Sequence, residues 1–259
     1  MSQLPVYLAS DVHLGSAPPG TEEAFISWLR HCGDHASRVI INGDLFDFWF
    51  EYRRAIPRGH TRVLGALAEL VDAGIPVLFL GGNHDWWGGS YLREELGVDF
   101  RQDPVTLTLQ GRKTLIAHGD GVGSGDLGYR LLRLILRGSL TRWAFRWLHP
   151  DLGAWVARKV SRTEKRTGEP LEKQLARSSF LEGWARGQLE VDPALQLVLL
   201  GHTHIPVLRE VHPGRFYLNS GDWLVNRSYG VLEEGRDPVL YRWAEDAPGG
   251  PIQGAGFQG

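Results

Sequence analysis

Five short polar motifs, each placed directly after an apolar run, constrain the fold of this chain more than any other feature of its sequence. The apolar runs are short and rich in Val, Ile and Leu, which is typical of buried strands. The motifs are Asp11-Val12-His13, Gly43-Asp44, Gly82-Asn83-His84-Asp85, His118-Gly119-Asp120 and Gly201-His202-Thr203-His204. Because the carboxyl ends of parallel strands meet at one edge of a sheet, we expect these polar groups to gather there.

Strands alternate with helices in the N-terminal part of the chain. Residues 6–9, 39–41 and 77–80 predict buried strands, and residues 22–35 and 61–73 show helical periodicity between them. This βαβαβ pattern predicts a sheet of parallel strands.

A second sheet is expected after Phe100. Residues 105–109 and 114–117, joined by Gln110-Gly111-Arg112, predict a hairpin that leads into this sheet. The short strands expected to continue it are residues 195–200, 207–211, 216–219, 230–233 and 239–243.

A helical segment interrupts this second set of strands. We interpret residues 121–191 as a helical lid insertion in a core formed by residues 1–120 and 192–246. The Gly-rich residues 247–259 are expected to form a flexible tail.

Charge is unevenly distributed, although the net charge is only −2. Residues 125–166 hold ten basic and three acidic side chains, a surplus of seven positive charges, so the remainder carries −9. Such a segment suits an anionic partner: a nucleic acid, an anionic lipid or a phosphorylated substrate. The single cysteine, Cys32, favours a reducing compartment, and the first residues lack the pattern of a signal peptide.

The five motifs together offer carboxylate, amide and imidazole donors without sulfur. This mixture suits Mn²⁺, Fe²⁺ or Zn²⁺ better than Mg²⁺ or Ca²⁺, which prefer oxygen alone. One such motif is more often structural, but five in order after predicted strands indicate a metal centre. Two ions about 3.5–4 Å apart can clamp the attacking and leaving oxygens of a displacement at phosphorus.

The segments DVHLG, NGDLFDFW, GGNHDWW, AHGDG and GHTHIP resemble the motifs of the calcineurin-like metallophosphoesterase superfamily. The resemblance implies an α/β fold: an α/β/β/α sandwich of two mixed sheets flanked by helices. It also implies that two divalent metal ions share Asp44. The first ion would be held by Asp11, His13, Asp44 and His204, and the second by Asp44, Asn83, His118 and His202.

The same resemblance implies roles around these ligands. His84 would be the general acid or a positively charged donor to the phosphoryl group, and Asp85 would orient it. We expect Asp47 and Asp120 to hold loops and ligand imidazoles in place. The remaining histidines are expected to be surface or packing residues: His31, His35, His60, His149 and His212.

Residues 127–147 of the expected lid combine leucines and tryptophans with arginines. This pattern is typical of a helix that lies on an anionic membrane surface. Ordinary amphipathicity, with the leucines packed on the core, gives the same pattern, and a nucleic-acid-binding face is a third interpretation.

The lid and the segment YLNSGDWLVN resemble the UDP-2,3-diacylglucosamine pyrophosphatases of lipid A synthesis. These enzymes use water to split the pyrophosphate at the α-phosphorus, usually with Mn²⁺, at the cytoplasmic face of the inner membrane. The resemblance implies UMP and a lipid 1-phosphate as products. The lid residues that match the family's substrate-binding positions are Asp126, Tyr129, Arg158, Ser161 and Lys165. His84 departs from the arginine of the best-known members, which keeps other phosphoesters open as substrates.

The leading hypothesis is therefore a pyrophosphatase that cleaves UDP-2,3-diacylglucosamine or a similar lipid-linked pyrophosphate. Its partners would be this lipid- or nucleotide-linked phosphate substrate and the anionic membrane surface, which its basic lid would contact. The alternative within this fold is a phosphodiesterase or phosphatase for another phospholipid or a nucleotide. A non-catalytic metal-stabilised module and a nuclease are the competing classes. We expect no stable nucleic-acid partner, and a monomer or small homo-oligomer in the cytoplasm at the membrane's inner face.

Overall fold

Strands and helices follow each other much as the sequence predicts. The residues described by the structure, a computed structural model, are 3–122, 137–153, 155, 170–244 and 246–252. The strands are β1 (Val6–Ala9), β2 (Arg38–Asn42), β3 (Val77–Leu80), β4 (Asp99–Arg101), β5 (Val105–Leu109), β6 (Arg112–Ile116), β7 (Leu197–Leu200), β8 (Pro206–His212), β9 (Arg215–Ser220), β10 (Ser228–Leu232), β11 (Val239–Ala244) and β12 (Ala247–Pro251). The helices are α1 (Thr21–His35), α2 (Thr61–Asp72), α3 (Ser139–Arg146) and α4 (Leu171–Val191), with one π-helical turn at Tyr91–Glu95.

Two mixed sheets face each other. The first has the order β12-β11-β10-β1-β2-β3-β4, in which β1 to β4 are parallel and β10 to β12 are antiparallel to their neighbours. The second has the order β5-β6-β7-β9-β8, with β6, β7 and β9 parallel. The crossovers through α1 and α2 allow β1, β2 and β3 to run in the same direction.

Alternate residues of the central strands enter different layers of the core. In β1, Leu8 packs between the two sheets, whereas Ala9 belongs to the layer beneath the helices α1 and α2. In β7, Leu199 packs between the sheets and Leu200 faces the layer that includes α4. Strands buried on both faces read as continuous apolar runs, which is why the sequence identifies them clearly. The expected α/β/β/α sandwich is confirmed.

The helix α4 lies within the expected lid but forms the outer layer against the second sheet. Its Leu181, Ala185 and Leu189 are buried with Val198 and Tyr217 of that sheet. The helix therefore flanks the sandwich on the side of the second sheet. The expected lid insertion over residues 121–191 stays a prediction, because much of it before α4 lies outside the described residues.

Two expectations about strands are wrong. The segments near residues 230 and 239 do not continue the second sheet: β10 pairs antiparallel with β1, and β11 follows it in the first sheet. Residues 247–251, expected within a flexible tail, form β12 at the edge of that sheet beside β11. This edge strand pairs with β11 through its backbone and is not buried on both faces. Its Gly-rich sequence therefore lacks the apolar run by which the buried strands were predicted.

His60 is a packing residue, as expected. Its ring lies 4.7 Å from that of Phe46 and 6.2 Å from that of Trp49 between centroids, and burial lowers its pKa to about 4. The unfolded chain therefore binds a proton at this position between about pH 6.5 and 4 that the folded protein does not. Stability should fall as the pH falls through that window.

We expect His60→Phe to remove up to about 3 kcal/mol of this pH-dependent loss, from 1.36 kcal/mol per pKa unit. Urea unfolding in excess EDTA at pH 7 and pH 4 would measure it, with the exposed His149→Phe as the matched control. An equal pH dependence for wild type and His60→Phe would contradict the prediction.

Candidate metal centre

All five motifs meet at one edge of the sandwich. The motifs at Asp11, Asp44 and Asn83 follow β1, β2 and β3, which are parallel, so their side chains emerge at the same end of the first sheet. The motifs at His118 and His202 follow β6 and β7, which are parallel in the second sheet. The two sheets thus bring polar groups from both sides to a single site, as predicted.

Most of the non-glycine residues with a positive φ in the described part of the chain lie at this site. Eight non-glycine residues have a positive φ in the described part, and five of them are at expected ligand positions. These five are Asp11 (φ 56°), His13 (51°), Asp44 (54°), His202 (70°) and His204 (63°). Such conformations cost free energy and persist where the surrounding structure imposes them, which is common at functional sites.

Backbone hydrogen bonds and close packing hold these loops. The amides of Val12 and His13 both donate to the carbonyl of Asp44, at 2.9 and 3.0 Å. Gly43 has a φ of 86°, and a Cβ there would overlap the imidazole of His118. Only glycine fits at position 43, beside the ring of His118.

The first group of side chains contains Asp11, His13 and His204. The Nε2 atoms of His13 and His204 are 3.3 Å apart, and His204 Nε2 lies 3.4 Å from Asp11 Oδ1. His13 Nε2 is also 3.9 Å from Asp11 Oδ1 and 3.8 Å from Asp44 Oδ2. The candidate donor atoms of the three residues lie within 4.8 Å of one another, which is close enough to hold a single cation.

The second group contains Asp44, His118 and His202, which also bring donor atoms within 4.8 Å. His118 donates from Nδ1 to the carbonyl of Asn42 at 2.8 Å, and its Nε2 lies 3.2 Å from Asp44 Oδ2. This contact fixes the imidazole so that Nε2 faces the site. Asp44 Oδ2 therefore lies between both groups, where a shared ligand is expected.

Buried donor atoms at this site fit divalent cations. Asp11 Oδ1, Asp44 Oδ2, Asn83 Oδ1 and His118 Nε2 are buried and make no hydrogen bond to the residues that the structure describes. Burying such atoms unsatisfied is costly, and a cation would satisfy them. Their chemistry, oxygen and imidazole nitrogen, matches that of a divalent metal centre.

Asp44 and His118 balance each other's charge. Burial alone would raise the pKa of Asp44, but the neighbouring His118, His84 and His13 outweigh it and hold that pKa well below its usual value. Burial would likewise lower the pKa of His118, whereas Asp44 raises it to about 10. Without a metal these two groups form a buried ion pair, and a bound cation would take the place of the His118 proton.

Asp47 contacts two site imidazoles. Its Oδ1 lies 3.6 Å from Nδ1 of His13 and 3.5 Å from Nδ1 of His84, and its carbonyl accepts a hydrogen bond from His84 Nδ1 at 2.7 Å. The geometry fits the expected role of Asp47 in holding imidazoles.

The structure differs from the expectation that Asp85 orients His84. The buried Asp85 carboxylate accepts hydrogen bonds from the backbone amides of Asp44, Phe46 and Gly82, at 3.2, 3.2 and 2.7 Å. Asp85 therefore fixes the loops around Asp44, and Asp47 contacts His84 instead. Adjacency in sequence is misleading here because His84 and Asp85 lie in a turn, where their side chains contact different loops.

Asp120 connects the site to Arg137, which precedes α3 in the expected lid. Its Oδ2 accepts a hydrogen bond from Arg137 at 2.8 Å, and the Arg137 guanidinium lies over the ring of Trp86, 4.7 Å from its centroid. Arg142 approaches the same ring at 5.8 Å. Asp120 thus holds Arg137, a residue of the expected lid. The five substrate-binding residues expected in the lid lie outside the described residues: Asp126, Tyr129, Arg158, Ser161 and Lys165.

Sequence reasoning missed the contribution of the loop after β9. Asp222 is buried, and its Oδ2 lies 3.6 Å from His204 Nδ1. The amide of Trp223 donates to the carbonyl of Asp11 at 3.1 Å. The segment SGDW was the available signal, since it places a carboxylate directly after a strand as the other motifs do.

Comparisons with known proteins agree with this geometry. Residues 4–206 match the family model described as calcineurin-like phosphoesterase. A protein named UDP-2,3-diacylglucosamine hydrolase from Porphyromonas gingivalis is 32% identical over 88% of this chain and 94% of its own. One of the same name from Bordetella pertussis is 30% identical over 79% and 78%.

A solved structure of vacuolar protein sorting 29 from Cryptosporidium parvum covers 96% of both chains, with a TM-score of 0.50 and 14% identity. At that identity the likeness shows the fold alone. The family match, by contrast, spans the strands that carry all five motifs. The chain therefore belongs to the calcineurin-like phosphoesterase family and is a metal-dependent hydrolase.

Proposed function

We propose that this protein hydrolyses the pyrophosphate of UDP-2,3-diacylglucosamine, or a similar lipid-linked pyrophosphate, to UMP and a lipid 1-phosphate. The observation that carries the proposal is a set of closely placed carboxylate, amide and imidazole donors around Asp44 in a chain 32% identical to a hydrolase named for this substrate. A non-catalytic relative has no need to keep every donor and the strained backbone beneath them.

In this proposal Asp11, His13, Asp44 and His204 hold one divalent ion. Asp44, Asn83, His118 and His202 hold the other. Two bound ions, with Mn²⁺ expected and Fe²⁺ or Zn²⁺ as alternatives, supply Lewis acidity at the phosphoryl oxygens and lower the pKa of the attacking water.

The side chains of the protein position the reaction. Water attacks the α-phosphorus, the bond to the bridging oxygen breaks, and the lipid 1-phosphate leaves. His84 donates a proton or a charged hydrogen bond to the phosphoryl group, while the carbonyl of Asp47 fixes its ring at 2.7 Å.

The direct test is product analysis with the Mn²⁺-loaded protein and UDP-2,3-diacylglucosamine. We expect release of UMP, and in ¹⁸O-labelled water the label should appear in UMP because the attack is at the α-phosphorus. Absence of UMP release by folded, metal-loaded protein would overturn the proposal.

A phosphodiesterase or phosphatase for another phospholipid or a nucleotide is the second candidate. It is favoured by His84, because a histidine acid also suits leaving groups poorer than a sugar phosphate. A panel of bis-p-nitrophenyl phosphate, nucleotides and phospholipids, assayed beside UDP-2,3-diacylglucosamine, separates the two candidates by their ratios of kcat/KM.

We further propose that the lid docks on the inner face of the cell membrane. Leu140, Trp143 and Trp147, on one side of α3, are 75%, 60% and 77% exposed. Phe145, on another side, has its ring centroid 4.6 Å from that of the buried Phe50. The large apolar side chains thus face outward, which supports an interfacial helix over one packed on the core. Among the described residues, no helix has both the length and the apolarity needed to cross a bilayer.

Vesicle binding tests this surface. We expect Trp143→Ser/Trp147→Ser to weaken sedimentation with anionic vesicles about tenfold or more, since burying one such side chain contributes about 1.5–3 kcal/mol. The matched control is Phe180→Ser, an exposed aromatic residue on α4. Equal binding by all three proteins, or no preference for anionic over zwitterionic vesicles, would contradict the proposal.

A further inference from the structure

The loop between β9 and β10 touches two residues of the first ligand group. The amide of Trp223 donates to the carbonyl of Asp11 at 3.1 Å. The side-chain amide of Asn226 donates to the carbonyl of His204, also at 3.1 Å. The loop therefore supports Asp11 and His204 from outside the five motifs.

Asp222 is the acidic residue of this loop, with 2% of its surface exposed. Its Oδ1 accepts hydrogen bonds from the amides of Val225 and Asn226, at 3.3 and 2.9 Å, and from the Asn226 side chain at 3.1 Å. Because these donors share one oxygen, the carboxylate is fixed with Oδ2 toward His204. That oxygen lies 3.6 Å from His204 Nδ1, an ion-pair distance.

The opposite nitrogen of the same ring faces the candidate metal group. His204 Nε2 lies 3.4 Å from Asp11 Oδ1 and 3.3 Å from His13 Nε2. A carboxylate beside Nδ1 favours the tautomer with its proton on Nδ1, which leaves the Nε2 lone pair for a cation. The His204 ring therefore lies between the carboxylate of Asp222 and the candidate metal site.

We propose that Asp222 is a positioning residue that sets the tautomer and basicity of His204 and thereby the affinity of the first metal ion. The inference rests on the ligand set of the proposed function. In this inference the SGDW segment affects metal affinity through His204. It does not contact the substrate.

A purely structural role for Asp222 would be to hold the 222–226 turn. Asp222→Asn separates the two roles, because an asparagine oxygen can still accept the three hydrogen bonds of the turn but the negative charge is lost. A structural role predicts lower stability in the absence of metal and an unchanged His204 tautomer. The positioning role predicts weaker binding at the first site with unchanged stability and an altered His204 tautomer.

The test is a Mn²⁺ titration of the full-length chain after removal of metal with a chelator, followed by calorimetry and by EPR of free Mn²⁺. We expect wild type to bind two ions and Asp222→Asn to bind one of them about 10- to 100-fold more weakly, the usual effect of losing an outer carboxylate. Asp103→Asn, an exposed control, should match wild type. Nitrogen-15 spectra of His204 should show Nδ1 protonated in wild type and a mixed tautomer in Asp222→Asn.

Unchanged affinity at both sites in Asp222→Asn would overturn the inference. Weaker binding at the first site together with lower stability to urea in EDTA and an unchanged His204 tautomer would overturn it in favour of the structural role. Failure of wild type to bind two ions would overturn the two-ion centre itself, so the two failures are distinguishable.

Discussion

Asp44→Asn should lose both metal ions and lower turnover by at least about 10³-fold. Asp44 Oδ2 lies 3.2 Å from His118 Nε2 and 3.8 Å from His13 Nε2, between the two candidate ligand groups. An amide NH₂ at this point would direct hydrogens toward both imidazoles and the expected cations. Metal ions contribute several kcal/mol to transition-state stabilisation, and each 1.36 kcal/mol corresponds to about one decade in rate.

The fold should survive this change. Asp44 Oδ1 accepts a hydrogen bond from the His84 amide at 2.9 Å, and the asparagine oxygen can accept the same bond. Metal analysis after gel filtration and turnover in saturating Mn²⁺ would measure the two losses, with circular dichroism as the check on folding. The exposed Asp103→Asn is the matched control. A folded Asp44→Asn protein with two bound ions and more than a tenth of wild-type turnover would refute a bridging Asp44.

The position of the candidate site could be predicted because it depends on strand order and little else. Apolar runs buried on both faces, such as Val77–Leu80, identify parallel strands, and the polar residue that follows each run then lies at a common edge. The glycine before Asn83 also helps to identify the site. A Cβ on Gly82 would overlap the carboxylate of Asp44, so the site requires a glycine at this position.

What could not be predicted depends on contacts between distant parts of the chain. Asp222 approaches His204 only because β10 returns to pair with β1, a topology that short apolar runs do not specify. The sequence likewise could not distinguish Asp47 from Asp85 as the partner of His84, since that choice depends on side-chain direction in two loops. The strand β4, with only Phe100 buried among its three residues, is too short to show periodicity.

With alkyl phosphoesters as substrates, His84→Ala should lower kcat about 10²- to 10³-fold, the usual contribution of a positioned acid. The His84 ring is held by its Nδ1 hydrogen bond to the carbonyl of Asp47, at 2.7 Å, and lies edge-on to His13 with centroids 4.8 Å apart. Its side chain is 10% exposed, so the ring borders the space open to a substrate. KM should change only a few-fold, because the lost interaction develops mainly in the transition state.

Metal content decides whether this histidine is a ligand or an acid. His84, His13 and Asp44 also bring donor atoms within 4.8 Å of one another, so the geometry alone permits coordination by His84. Two ions retained in His84→Ala would assign the ring to proton or hydrogen-bond donation, whereas loss of an ion would make it a ligand.

The leaving group then distinguishes proton transfer from charge stabilisation. If His84 is the acid, the loss caused by His84→Ala should grow as the leaving group becomes more basic, from p-nitrophenyl to alkyl esters. A loss that is equal across such a series would indicate a charged hydrogen bond to the phosphoryl oxygens. The phosphate of a pyrophosphate leaves readily. The acid role therefore predicts that His84→Ala lowers kcat for a pyrophosphate only about as much as for the p-nitrophenyl ester, which shows the smallest loss of the series. A larger loss with UDP-2,3-diacylglucosamine than with the alkyl esters would contradict it.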